Sequence, residues 1–502
     1  MHLKIQKRNG REYLSVVQSY RRGGKPRQRT VETIGYADAF ADRYPDPVSH
    51  FRAYVAELNE REKAAVHPVE ISFDAHALID EPGTPPARLG AALALGCLDA
   101  VGVADFFHAR AGRPRMPAQA GRIFEMLATE RMMHAASKRE TWTARASFPR
   151  SNHASFEDVY AALPSFAYYA KQLDECHLKS WKRLGGEPNA NRMYLICGSY
   201  AFPVDGGSER AGIAVAIGQD NMPLGYHVVK GRFEPRSFRE ASEALKERLG
   251  VRRSVVVAGG LRELEPTIAA LSAIGDGFVL YQRDFEKVPD LVDWAHDGAD
   301  YQELAGGVQA KARASTRTLP DGKQIPLREI VLSGGGYAVR QRYAVLVTSE
   351  LDLSVASVVQ LYRELWRQAE PFQPLEADFS SVPYPTSADD HIRAHFAICY
   401  SAFLALRVLR WRMNWAFNAA DTADALLRME GVHLQQNYYL FSYRSPATDC
   451  IEGSLGVSVA QRIRTRADIK AIPASVRQSF AAAVFSNAGQ PNIDTTTRIM
   501  NG

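Results

Sequence analysis

The sequence predicts an α/β protein in which a mixed-sheet core follows a helical region and a small basic β arm. Three observations predict this. Near residue 193 the apolar spacing changes from a helical period to short β-type runs. From there strands come first and then alternate with helices, the pattern of a mixed sheet covered by helices. Positive charge is concentrated at the start of the chain. A length of 502 residues allows about three domains at ~150 residues each.

The arm comes first. Residues 1–35 carry Lys4, Lys7, Arg8, Arg11, Arg21, Arg22, Lys25, Arg27 and Arg29 against Glu12 and Glu32. That is a net +7, while the whole chain carries only +5. Arg8-Asn9-Gly10-Arg11 is a tight-turn signal, followed by the strand-like YLSVVQSY. A second turn, Arg22-Gly23-Gly24-Lys25-Pro26, leads to RQRTVETIGY. The segment reads equally as an arm contacting phosphate and as a solvated basic hairpin.

Residues 40–190 read mainly as helix. Helical apolar spacing runs through 86–111, 119–136 and 155–185. Arg122, Arg131, Lys138 and Arg139 read as solvated charges on a packed core. The core begins with the β-type runs MYLICGSYAF, GIAVAIGQ and LGYHVVKG, with a turn at Gln219-Asp220-Asn221. A helix is expected at 236–249, then the buried strand SVVVA, a helix at 263–274 and the strand GFVLY. Residues 285–348 read as an inserted antiparallel sheet, with turns at Asp321-Gly322-Lys323 and Ser333-Gly334-Gly335-Gly336. A long helix is expected from about Val355 to Ala369 and another over 390–415. A disordered tail is expected from Asn487.

Several classes are excluded. Hydrophobic residues make up 46% and charged residues 23%, which excludes a disordered chain. Five scattered cysteines give no C-x-x-C pair, so neither a disulfide framework nor a structural zinc site is expected. The start, MHLKIQKRNG, has no apolar core of a signal peptide. The apolar run Phe396–Leu406 is shorter than the ~20 residues of a membrane span and reads as a buried helix. A cytoplasmic location and no membrane partner are expected. There is no P-loop, no H-E-x-x-H and no G-x-S-x-G.

Five stretches then fall in one order. They are YLSVVQSYRRGGKPRQRTVETIGYADAF, RIFEMLATERMMHAASK, MPLGYHVVKGR, the GGL after SVVVA, and LYRELWRQAEPFQPLEADFSSVPYPTSADDHIRAHFAICYSAFLALRVLR. Together they resemble the bacterial insertion-sequence transposases of the DDE type, over nearly the whole chain. The resemblance implies a ribonuclease-H-like core with a β insertion before the last catalytic helix. It implies a basic β arm at 1–40 and a helical DNA-binding and dimerisation domain at 41–190. It implies the transposase core at 191–415, with the insertion at about 285–348, and a C-terminal region at 416–502. Transposon-end DNA is the implied partner, and a homodimer or higher oligomer the implied assembly.

The resemblance also implies phosphodiester transfer with Mg²⁺, through two metals ~4 Å apart held by carboxylates. The family signatures are Tyr-Asp-Val-Thr on the first strand, Val-Ala-Asp-x-Gly on a later one, and Tyr-x2-Arg-x3-Glu-x6-Lys on the late helix. All three depart here. The match on the first strand is Tyr194-Leu195-Ile196-Cys197, with Leu195 at the Asp position. Aligning Gly260-Leu261 puts Ala258 at the second Asp position, and a one-residue slip would put Gly259 there. Tyr362 fixes the helix register, with Leu365 at the Arg, Ala369 at the Glu and Glu376 at the Lys position. Leu195, Ala258 and Ala369 cannot ligate a metal. Glu370, Asp205, Glu263, Glu265 and Asp284 are the nearby acids, and each reads as solvated. The expectation is therefore transposase ancestry with lost catalysis and no bound cofactor. Two alternatives are an active transposase using displaced acids and a co-opted protein-interaction scaffold.

DNA-contact candidates are Arg21, Arg22, Lys25, Arg27 and Arg29 on the arm, Arg283 at a strand end, and Arg393. Arg393 reads equally as an ion pair to Asp389 or Asp390. His395 reads as a core histidine before a ligand. Trp366 and Trp411 read as core packing before base stacking.

Overall fold

The computed structural model describes residues 1–22, 25–64, 76, 83–186, 191–204, 207–304, 307–334, 343–379 and 387–482, with the side chains of 20–26, 62–64 and 366–370 left out. The chain forms two compact units, residues 1–78 and 79–502.

In the first unit β1 (His2–Arg8), β2 (Arg11–Arg22) and β3 (Lys25–Tyr36) form an antiparallel sheet in that order. The expected turn is present: Asn9 and Gly10 sit at φ 51° and 77°. Two left-handed residues make the turn whose twist matches paired strands, and Asn-Gly is the pair that tolerates it. Leu14, Val16 and Val17 are buried. Helix α1 (Pro47–Ala64) packs on β1, and the Tyr54 hydroxyl donates to Glu32 at 2.9 Å. A three-stranded sheet needs a cover for its apolar face. The first compact unit thus holds the sheet and α1 together.

The second unit opens with β4 (Ala87–Arg88), α2 (Leu89–Ala100) and α3 (Val103–His108). The apolar pattern of 86–111 is thus two helices, parted where Gly102 takes φ 92°. Helices α4 (Ala120–Met133), α5 (Lys138–Thr143), α6 (Phe156–Ala161) and α7 (Leu163–Arg183) follow. Reciprocal capping by Ser137 with Glu140 and by Ser155 with Asp158 starts α5 and α6.

The core strands are β5 (Arg192–Val204), β6 (Gly207–Ile217) and β7 (Pro223–Lys230). Then come α8 (Pro235–Leu249), β8 (Arg253–Ala258), α9 (Leu264–Ala273), β9 (Gly277–Tyr281) and α10 (Pro289–His296). Strands β10 (Gln302–Leu304), β11 (Val308–Thr318), β12 (Gln324–Gly334) and β13 (Tyr343–Thr348) complete a nine-stranded sheet. Its order is β10-β11-β12-β13-β9-β8-β5-β6-β7. Strands β5, β8 and β9 are parallel neighbours, and the other pairings are antiparallel. The segment expected as an inserted antiparallel sheet is antiparallel and continues this one. Leu346 pairs with Tyr281, so β13 covers the β9 edge that would otherwise be open. The Asp321-Gly322-Lys323 turn joins β11 to β12; Gly335 and Gly336 lie outside the described residues.

Helix α11 (Val355–Phe372) packs on β5 and β8, and α12 (Glu376–Phe379) is one turn. Helix α13 (Ala388–Arg412) is long and apolar enough to cross a membrane, but 94% of its apolar window is buried inside the protein. The C-terminal region consists of α14 (Ala419–Arg428), β14 (Glu430–His433), β15 (Tyr438–Phe441), α15 (Pro446–Leu455), β16 (Ile463–Thr465) and α16 (Arg466–Ala482). It returns to the start of the unit. Strand β14 pairs with β4, and α14 and α16 pack on α2. The tail expected to be disordered from Asn487 lies outside the described residues.

Candidate functional site

The parallel strands β5, β8 and β9 have two ends, and their chemistry differs. At the N-terminal end buried carboxylates are paired with cations. Arg253 makes a two-pronged contact to Glu350, 2.9 Å on one prong. Arg192 bonds Asp352 at 2.6 Å. Lys246 bonds both oxygens of Asp276 at 2.9 and 3.0 Å, and Asp276 accepts from Ser242 and the Ser254 amide. The Glu350 and Asp276 carboxylates are buried.

At the C-terminal end Cys197 pairs with Ala258, and Ala258 with Leu280. The segments that follow β7, β8 and β9, with parts of β5 and β6, line a cleft of about 1430 Å³. Four arginines line it. Arg210 is on β6, Arg232 follows β7, Arg262 follows β8 and Arg283 follows β9. None of these guanidiniums has an ion-pair or hydrogen-bond partner among the described residues. The Arg232 guanidinium is held below the ordinary arginine value, first by the Arg210 charge, then by partial desolvation, then by Arg262 and Arg283. The lining acids are Glu234 and Glu263. Phe233, Tyr281 and Tyr362 contribute rings, with Tyr281 and Tyr362 stacked at 6.2 Å. Gly260, at φ 65° with open space beside it, gives the β8 loop a backbone that other residues rarely adopt.

Of the expected metal positions, Leu195 and Ala258 are not paired across β5 and β8. Leu195 is fully buried and pairs with Val256, two residues below Ala258 and outside the cleft lining. Cys197 stands beside Ala258 instead, and burial pushes its thiol well above the usual range. Leu365 lies on the cleft wall, close to Gly259. Ala369 is on α11, and its side chain and that of Glu370 lie outside the described residues, as does Asp205. Asp284 sits 3.5 Å from Lys287, and Glu265 3.3 Å from Arg317. Among the described residues no three of His, Cys, Asp and Glu are grouped to hold a metal ion.

Of the expected DNA contacts, Arg283 lines the cleft. Arg393 does not; it bonds Asp389 at 2.7 Å beside a separate groove with Arg115 and Tyr168. On the arm, Arg27 and Arg29 are exposed, and Arg29 donates to Gln18 at 2.9 and 2.6 Å. The side chains of Arg21, Arg22 and Lys25 lie outside the described residues. His395 is a buried core residue, its Nε2 3.0 Å from the Phe372 carbonyl, and burial holds it neutral. Trp411 packs edge-on against Trp181 at 4.7 Å. The side chain of Trp366 lies outside the described residues.

Two charges read as solvated are structural. Lys138 is buried 3.1 Å from Asp378. Arg131 donates to the carbonyls of Pro371 and Gln373, fastening the end of α11. Sequence reasoning missed Arg210, Arg232 and Arg262. A usable signal was present: Gly231-Arg232 and Gly260-Leu261-Arg262 each put an arginine just after a strand-ending glycine.

Residues 3–69 match the family model of the IS1634 family transposase N-terminal domain. This match supports an insertion-sequence transposase. No curated protein matches the chain.

Proposed function

We propose that this chain is an insertion-sequence transposase with a ribonuclease-H-like core, which binds DNA without itself carrying out metal-dependent strand transfer. The family match over residues 3–69 supports the class. The order β7-β6-β5-β8-β9 supports the core, with the first three strands antiparallel and the last three parallel.

The observation that carries the non-catalytic reading is the Cys197–Ala258 pair at the strand tips. Mg²⁺ takes hard oxygen ligands, and a two-metal site needs carboxylates from neighbouring strands. A buried thiol and a methyl group do not fit that ion, and neither do Leu195 and Ala369. The DNA reading is supported by the basic arm, where guanidinium and ammonium groups neutralise phosphate independently of sequence.

Purified full-length protein, incubated with DNA carrying the ends of its element and Mg²⁺ or Mn²⁺, is expected to produce no nicks or joined strands. It is expected to retard the duplex in a salt-sensitive way. Replacing Arg21, Arg22, Lys25, Arg27 and Arg29 by Gln together is expected to weaken that retardation. Metal-dependent nicking would overturn the non-catalytic reading. An absence of DNA affinity at low salt would overturn the DNA reading.

A further inference from the structure

We propose that the arginine-lined cleft is a metal-independent binding groove for single-stranded nucleic acid, in which Arg210, Arg232, Arg262 and Arg283 take the phosphates. This rests on the reading above only in that the partner is a nucleic acid.

The argument begins with pairing. Elsewhere in the second unit partly or wholly buried arginines find carboxylates or backbone carbonyls, as Arg131 and Arg328 find carbonyls. Arg88 reaches Glu130 at 2.5 Å, Arg150 reaches Glu125 at 2.9 Å, and Arg248 reaches Asp174 at 2.8 Å. The four cleft arginines come from four different strand ends and face one cleft without such partners. Like charges gathered this way repel and disfavour the compact state, unless a polyanion neutralises them. The electrostatic influence of Arg210, Arg262 and Arg283 on Arg232 reports that they share one field.

The shape selects the strand state. Duplex DNA is read by elements that enter its grooves from outside. Here the charges line a concavity with Phe233, Tyr281 and Tyr362 among its walls. Guanidiniums that track a backbone, with rings nearby for bases, are the arrangement that accepts a single strand. The position fits as well: ligands of α/β sheets sit beyond the carboxyl ends of parallel strands. Among the described residues the tips of β5 and β8 carry Cys197 and Ala258, and the cleft lining sets four arginines against Glu234 and Glu263.

The test uses full-length protein and a fluorescent 12-nucleotide oligo(dT), read by anisotropy in EDTA. Binding is expected in EDTA and unchanged by Mg²⁺ at matched ionic strength. The salt slope is expected to fall by ~0.7 for each arginine replaced. Arg232→Gln with Arg283→Gln is expected to weaken oligo(dT) affinity at least ~10-fold, as expected for two lost phosphate contacts. The five-site arm variant is expected to weaken oligo(dT) binding less than the cleft pair does, and to weaken retardation of the duplex more. No binding, binding that needs Mg²⁺, or binding indifferent to the cleft substitutions would each overturn the proposal. So would an equal loss of affinity for a blunt duplex of the same length. Nicking of end DNA by the wild type would overturn the non-catalytic reading while leaving the groove to be judged by anisotropy alone. The cleft arginines are exposed or half-buried, and an unchanged melting temperature shows that the variants fold.

Discussion

The two ends of the same parallel strands differ more than any other two regions of the second unit. At the N-terminal ends of β5 and β8, Glu350 and Asp276 are buried and satisfied by Arg253, Lys246, Ser242 and a backbone amide. At the C-terminal ends, four arginines surround a cleft unpaired among the described residues. One end has placed its charges for stability. The other keeps four arginines at an open cleft, exposed or half-buried, without a protein partner among the described residues. Desolvated carboxylates tolerate burial only when paired and hydrogen-bonded, which the lower end achieves and the upper end avoids by keeping its arginines near water.

The strongest break in this comparison lies between the ends. Leu195→Asp places a carboxyl in the fully buried middle of β5, where no partner is available. A loss of about 4 kcal/mol or more is expected in urea denaturation. Cys197→Asp, two residues higher at the cleft lining, is expected to lose markedly less. Equal losses would show that the tip is no more open to charge than the strand centre. Next is Glu350→Ala, which strands Arg253 and weakens the hold on Arg192. It is expected to lower stability by about 3 kcal/mol. Oligo(dT) affinity is expected to stay unchanged.

Acid tests a third way of handling a titratable group. His177 is buried, with Nδ1 2.8 Å from the Val101 carbonyl and Nε2 2.8 Å from the Ser401 hydroxyl. Burial lowers its folded value from 6.5 to about 4. Below pH 6.5 the unfolded chain takes up a proton that the folded chain refuses. Its contribution is therefore full above that pH and is lost as pH falls toward 4, by at most ~1.4 kcal/mol per unit. His177→Gln is expected to flatten that part of the stability–pH curve, whatever its effect at neutral pH. The smallest effect is at the cleft. Arg232→Gln is expected to leave the melting temperature unchanged or slightly raised, because it removes repulsion. A clear drop would mean that Arg232 has a structural partner.

Much of the frame was legible because it is local. The Asn9-Gly10 turn, the strand–helix alternation from β5 to β9 and the buried α13 all follow from short-range pattern. The C-terminal region was opaque because its strands have three or four residues each. One of them pairs with β4, more than 300 residues earlier. Where the inserted strands join was not legible, because sequence cannot say which edge a strand will pair with. At the site, Arg283 was reached through a resembling stretch. Arg210, Arg232 and Arg262 were not, because they converge only when four strand ends are brought together. That Leu195 pairs with Val256 and Cys197 with Ala258 was not legible either, since register depends on strand pairing and not on motif order.

The continuity of the sheet also sets a length scale. Arg210 stands on β6 and Arg283 leaves β9, with β5 and β8 between them. Three strand spacings of ~4.8 Å put their backbones about 14 Å apart. One hydrogen-bonded ladder runs from β7 through β13, so that interval cannot be adjusted by sliding one wall past the other. The cleft then measures its ligand as a fixed gauge does. Its footprint is expected to be a handful of nucleotides at the low end of the ~4–16 range, and lengthening the strand beyond it should add binding registers but no new contacts.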